Sequence, residues 1–152
     1  MPVKGSEFRF HDLVIRPIRS MEFTEEIKRK IWNKGIIDDK YPSERVRKDA
    51  CGAFILYEDF GNRNSIFGWE FDHIFPASKL REKGIAEDLI DNPDNLRPLN
   101  WKNNASKGSS YPFYTACLVA DDENATNIES NVGKVVNQKV QNELKSLFKL
   151  ED

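Results

Sequence analysis

Cysteine, histidine and methionine are scarce in this chain, with two of each among 152 residues. Two cysteines, Cys51 and Cys117, exclude a disulfide-stapled scaffold and any metal site built on four thiolates. They lie far apart in sequence and are expected to be reduced, buried thiols. No apolar run approaches the roughly 20 residues a membrane-spanning helix needs. The opening MPVKGSEFRF has no apolar core ahead of a cleavage site, so a cytoplasmic location away from membranes is expected. An excess of positive charge is also missing: 23 Lys and Arg stand against 25 Asp and Glu, for a net charge of −2. Such a chain cannot hold a polyanion by overall charge, and any affinity for one must come from a local patch or a bound metal. There is no internal repeat and no low-complexity linker. What is present, 39% hydrophobic and 32% charged residues, suits one soluble globular domain over 1–152.

Periodicity and punctuation predict a mixed α+β fold. Residues 6 to 19 alternate loosely and suit one or two short strands, with His11 a surface or strand histidine. Thr24 followed by Glu25 and Glu26 reads as a capped helix start, and Gly35 as its end. Residues 28 to 48 are the most basic stretch and suit either a solvated face or phosphate contacts. Strands are predicted over 49–57 and 67–74, with a turn over 60–65 between them. Short helical pieces over 78–91 break at Gly84 and close at Asn92-Pro93-Asp94. Leu96 to Leu99 is a short strand held to an edge or an end by Pro98, and 100–107 is helical up to Gly108. Thr115 to Ala120 is another strand. Val132, Val135, Val136, Val140, Leu144, Leu147 and Phe148, spaced by threes and fours, predict an amphipathic helix over 131–149, capped by Ser130 or Asn131.

One stretch carries chemistry. In GWEFDHIFPASKL, Asp72 and His73 close a strand, and Asn95, Asn103, Asn104 and Lys107 follow on a strand and a helix. That order can bring a carboxylate, an imidazole, amide oxygens and an ammonium into one cleft. A hard cation such as Mg²⁺ needs only one or two protein oxygens, which Asp72 and Asn104 can supply. Imidazole ordinarily titrates near neutrality and can take a proton from water. An Asp-His pair at a strand end is, taken alone, more often an ordinary hydrogen-bonded turn, and Asn-rich runs are usually caps.

Three blocks in order make the pattern specific: Arg47-Lys48-Asp49-Ala50-Cys51-Gly52, then Gly68-Trp69-Glu70-Phe71-Asp72-His73-Ile74-Phe75-Pro76, then Asn95-Leu96-Arg97-Pro98-Leu99-Asn100-Trp101-Lys102-Asn103-Asn104-Ala105-Ser106-Lys107-Gly108. Together they resemble the HNH endonuclease family, over about residues 45 to 112. The resemblance implies a ββα-metal core, a short two-stranded hairpin plus a helix. Residues 1–44 would add a helix and strands, and residues 113–152 a strand and an amphipathic helix. It implies that His73 is the general base, that Asp72 and Asn104 hold the metal, and that Asn95 braces the loop and orients the base. Asn103 is the rival of Asn104 for the metal. Lys107 would face the phosphate, with Lys102 and Arg97 as further nucleic-acid contacts. The implied cofactor is a divalent ion, Mg²⁺ first and Mn²⁺ next, and the implied partner is DNA.

Two departures from the family pattern stand out. The positions that carry zinc-binding CxxC cysteines in many relatives are Asn100 and Asn103 here, so no structural zinc is expected. Trp69, Phe71, Leu99 and Trp101 would hold the motif by packing instead. The connection between His73 and Asn95 is longer and more helical than the Gly-rich loop of close relatives, and it reads as a neutral insertion in preference to a device shaping DNA access. Glu70 could approach the metal but is read first as solvent-facing. The apolar stripe of the last helix would suit packing or a homodimer. The competing expectations are an inactive ββα module binding nucleic acid or protein, and a nuclease subunit whose partner protein supplies specificity.

Overall fold

The computed structural model describes residues 24–151, so the expectations for residues 6 to 19 and for His11 lie outside the described residues. Thr24 caps the first helix, α1 (Glu25–Trp32), by accepting the Ile27 N–H on its hydroxyl at 3.1 Å. The helix stops at Asn33, ahead of Gly35. Its inward face ends in Ile31 and Trp32, both fully buried, and emptying either site would cost about 3–5 kcal/mol.

The basic stretch over 28–48 is mixed: Lys30, Lys34, Lys40 and Arg45 are exposed, whereas Arg47 is buried and Lys48 is paired. Val46–Lys48 forms β1, antiparallel to β2 (Phe54–Leu56), with Lys48 opposite Phe54. Arg47 turns inward and donates to the carbonyls of Ser43, Asn33 and Gly35 at 2.9, 3.0 and 3.1 Å, fastening α1 to β1. Lys34 donates to the carbonyls of Pro93 and Leu96. Lys48 bridges Asp38 and Asp122.

The second antiparallel pair is β3 (Trp69–His73) with β4 (Leu96–Asn100), in unbroken register from Trp69 opposite Asn100 to His73 opposite Leu96. Gly68 must stay bare ahead of β3, because a Cβ there would sit 1.9 Å from the Asn62 carbonyl oxygen. Pro98 is tolerated because the sheet has only two strands. The connection between them folds into α2 (Ala77–Glu82) and α3 (Glu87–Ile90), separated at Gly84, whose φ of +79° suits a residue without Cβ. A 3₁₀ turn, Pro93–Asn95, then leads into β4. Helix α4 (Trp101–Lys107) follows at once, capped by the Asn100 side chain on the Lys102 N–H and ended at Gly108.

The C-terminal third departs from the expectation. Residues 131–149 are not one helix: Thr126–Val135 is β6, paired with β5 (Phe113–Asp121), and α5 (Gln138–Phe148) begins later, capped by Asn137 in place of Ser130 or Asn131. The spacing of Val132, Val135 and Val136 imitates a helical face, but the stretch is β-branched and contains Gly133, both of which disfavour helix. Val132 and Val135 are also about half exposed, which a core-facing stripe would not be. The apolar face of α5 is consumed inside the chain: Leu144 and Phe148 are buried against Ile74, Leu99 and Tyr114, so the stripe expected to suit a homodimer is occupied.

The architecture is therefore α+β, with three separate two-stranded antiparallel sheets and five α-helices among the described residues. The β3–β4 hairpin lies between two cores. Trp69 and Phe71 join Trp32, Ile55 and Phe60 in an aromatic cluster on the α1 side. Leu99 and Ile74 belong to the larger core under α5. Among the described residues, no helix is long and apolar enough to cross a membrane.

Candidate functional site

The strand that sends Trp69 and Phe71 toward α1 must send Glu70 and Asp72 the other way, toward α4. Asp72 is 3% exposed. Its Oδ2 accepts from Arg97 Nε at 2.8 Å, directly across the ladder, and its Oδ1 lies 3.2 Å from Lys107 Nζ. Lys107 also donates to the His73 carbonyl at 3.1 Å. Burial pushes the Lys107 ammonium below its ordinary range, and the Asp72 charge only partly restores it. Burial works against the Arg97 guanidinium too, but there the Asp72 charge wins and holds it above its ordinary range. Neither cation is offered to solvent: the Lys107 side chain is fully buried and that of Arg97 is 12% exposed. The structure places Lys107 and Arg97, the residues expected to meet phosphate and nucleic acid, turned inward, where both balance a buried carboxylate that would otherwise be unpaired. Lys102 is exposed, with its ammonium 5.5 Å from the Trp101 ring.

One turn before Lys107 on α4, Asn104 meets Glu70. Its Nδ2 donates to Glu70 Oε1 at 3.0 Å, and Arg63 grips the same carboxylate through Nε at 2.5 Å and Nη2 at 2.9 Å. Burial raises the Glu70 carboxyl, but the hydrogen bonds from Arg63 and Asn104 outweigh it and hold the group below its ordinary range. Glu70 is therefore a partner of α4 and not the solvent-facing residue the strand pattern suggested. The Asn104 Oδ1 accepts no hydrogen bond among the described residues.

His73 ends β3 with its side chain 28% exposed, and its Nε2 lies 2.8 Å from Asp91 Oδ1. Asn95 is fully buried and does not hydrogen-bond the imidazole. Its Oδ1 accepts the Phe75 N–H at 2.8 Å, its Nδ2 donates to the carbonyls of Phe75 and Ile90, and its own carbonyl accepts the Ile74 N–H. One side chain thus ties the two ends of the β3–β4 connection together just beyond His73.

Asn103, the rival metal ligand, is spoken for. It is fully buried; its Nδ2 donates to Asp49 Oδ2 and to the Leu118 carbonyl, and its Oδ1 accepts from the N–H groups of Cys117 and Leu118. Asp49 is a buried hub. Its carboxylate receives the N–H groups of Cys51, Ala53 and Asn100 as well as the Asn103 amide, all between 2.8 and 3.1 Å. Burial pushes this carboxyl upward, against the pull of those donors. Asn100, through its backbone N–H, and Asn103, through its side-chain amide, therefore converge on one carboxylate oxygen.

Glu70, Asp91 and Asp49 were missed by reading the sequence. Asp49 had a faint signal, an Asp ahead of a Cys-Gly turn, which suits side-chain capping of local N–H groups. Asp91 had none beyond its place in a polar turn.

No family model matches the chain, and no curated protein or solved structure matches it either. Among the described residues, no three His, Cys, Asp or Glu side chains converge to hold a metal by themselves. The oxygens facing α4 are nonetheless all hard donors: the Asp72 and Glu70 carboxylates and the open Asn104 Oδ1. Oxygens of this kind suit a hard ion such as Mg²⁺ better than a soft one, although both carboxylates already receive donors, Asp72 from Arg97 and Lys107 and Glu70 from Arg63 and Asn104.

Proposed function

We propose that this chain is a metal-dependent endodeoxyribonuclease of the HNH type, with the β3–β4 hairpin and α4 as its ββα-metal core. The observation that carries the reading is the shared face of that unit, where Asp72, Glu70 and an Asn104 oxygen that accepts no hydrogen bond among the described residues project from β3 and α4, with His73 at the end of the same strand. Asp72 and Asn104 would hold a divalent cation, which when bound would offset negative charge gathering on the scissile phosphate. His73, whose side chain is partly exposed, takes the proton from the attacking water. Asn95 fixes the turn that follows His73, so the base cannot drift with the long connection. The inward lysine and arginine hold the Asp72 carboxylate in place and balance its charge in a buried setting. Lys102, exposed on α4, is the remaining candidate for contact with the DNA backbone.

The closure of Asp72 by Arg97 and Lys107 favours a second reading, a ββα module that binds nucleic acid or a protein partner without cutting. Supercoiled plasmid separates the two. With Mg²⁺ or Mn²⁺, wild type should nick or linearise it, chelator should stop the reaction, and His73→Ala should slow it by about 100-fold or more. Equal persistence of intact plasmid with both proteins, across metals and pH, would leave the binding-module reading in place.

A further inference from the structure

We infer that Asp91 is a positioning residue that fixes the tautomer and direction of the His73 ring, and that the helical β3–β4 connection is the arm that delivers it. The inference rests on the reading of His73 as the proton acceptor. The primary observation is the 2.8 Å contact between His73 Nε2 and Asp91 Oδ1. An ionised carboxylate only accepts hydrogen bonds, so a neutral His73 facing it must carry its proton on Nε2. The lone pair is then on Nδ1, which becomes the nitrogen available to a water molecule.

Asp91 is well built for this work. Its side chain is 12% exposed, against 28% for His73, so the contact is partly shielded from competing water. It closes α3, where its N–H bonds back to the Glu87 carbonyl at 3.0 Å. The preceding residue, Ile90, is fully buried in the main core, and its carbonyl accepts from Asn95 Nδ2. Asn95 therefore orients the base indirectly, by locking both the turn after His73 and the helix end that carries Asp91. Arg81 on α2 lies close enough to feel the Asp91 charge, and it also forks the Glu87 carboxylate at 2.6 and 3.1 Å. A connection that reads in sequence as a neutral insertion thus has one functional side chain at its far end.

The test is a nitrogen-15 measurement on the full chain. Only His11 and His73 contribute imidazole signals, and His11→Gln assigns them. At about pH 9, above the range in which imidazoles ordinarily titrate, long-range proton–nitrogen correlations should show His73 with Nε2 protonated and Nδ1 bare. In Asp91→Asn the side-chain amide can donate to Nε2, so the pattern should invert to the Nδ1–H form. A wild-type ring already in the Nδ1–H form, or a pattern unmoved both by Asp91→Asn and by Asp91→Ala, which offers neither donor nor acceptor, in folded variants, overturns the assignment. In the plasmid assay, Asp91→Asn should lower kcat by about 100-fold with little change in KM. If wild type cuts nothing, the nuclease reading fails by itself, and the tautomer pattern still decides the role of Asp91.

Discussion

Replacing Asn103 and Asn104 by alanine, one at a time, should separate a structural amide from a ligand amide on adjacent residues. Asn103 makes four hydrogen bonds from a fully buried position, to Asp49, to the Leu118 carbonyl, and from the N–H groups of Cys117 and Leu118. At about 1 kcal/mol net for each, Asn103→Ala should lose about 4 kcal/mol of stability. The loss is not softened by solvent, because Asp49 is also fully buried and cannot turn to water for its missing donor. In a domain of this size that corresponds to a fall in Tm of about 8–16 °C. Asn104 makes one side-chain hydrogen bond, to Glu70, at a partly exposed site. Its loss costs about 0.5–1 kcal/mol, and the better helix propensity of alanine offsets about half a kcal/mol of that. Thermal unfolding followed by circular dichroism should therefore show Asn104→Ala within a few degrees of wild type and Asn103→Ala far below it. Metal titration of plasmid cleavage should show the reverse order, with Asn104→Ala demanding much more Mg²⁺. A Tm for Asn103→Ala within about 3 °C of wild type would refute the four-bond reasoning, as would an equal fall in both variants.

Lys107 sets a pH dependence whose sign follows from its burial. Its ammonium is held below the ordinary lysine value of 10.5, so the unfolded chain keeps the proton over the interval ending there, and native stability rises with pH through it. As pH rises toward 10.5 the urea midpoint of wild type should climb relative to that of Lys107→Met; parallel curves would contradict this. The two thiols should also differ in kind. Cys51 is 2% exposed and pushed up to about 12 by burial, whereas Cys117 is only partly covered. An aromatic disulfide reagent should titrate one fast equivalent in the native protein and two in denaturant, and two fast equivalents would show that Cys51 is not sealed.

Local signals read correctly wherever the determinant was local. Thr24 before two glutamates, Gly84 and Gly108 at helix ends, and Asn100 ahead of α4 each satisfy or release neighbouring N–H and carbonyl groups, and each stands where the residue pattern put it. β3 and β4 were legible through alternation and a single tolerated proline. β1 was not, because a three-residue strand ending in Arg47 and Lys48 looks like surface until its carbonyl partners are known. β6 was hidden by valines whose spacing suits a helix, and only pairing with β5 decides against it. The candidate site divides in the same way. Asp72, His73, Asn95 and Asn104 could be named from motif order, but the inward turn of Lys107 and Arg97 depends on a carboxylate reached across strands and from a helix. The contact between Asp91 and His73 depends on how two short helices fold back, which no local pattern encodes.

The β5–β6 hairpin changes what counts as a portable unit. Motif order alone would cut the chain near residue 112, leaving hairpin and helix as a cassette for grafting onto another scaffold. Yet the Leu118 and Cys117 backbone completes Asn103, Thr115 takes the Ser106 hydroxyl, and the Asn127 side chain reaches the Phe54 backbone and the Ile66 carbonyl. A graft trimmed there would carry its motif intact and its seams open. The shortest transplantable segment runs through β6, and a designer who fused a new partner at residue 112 would be splicing into the middle of the scaffold.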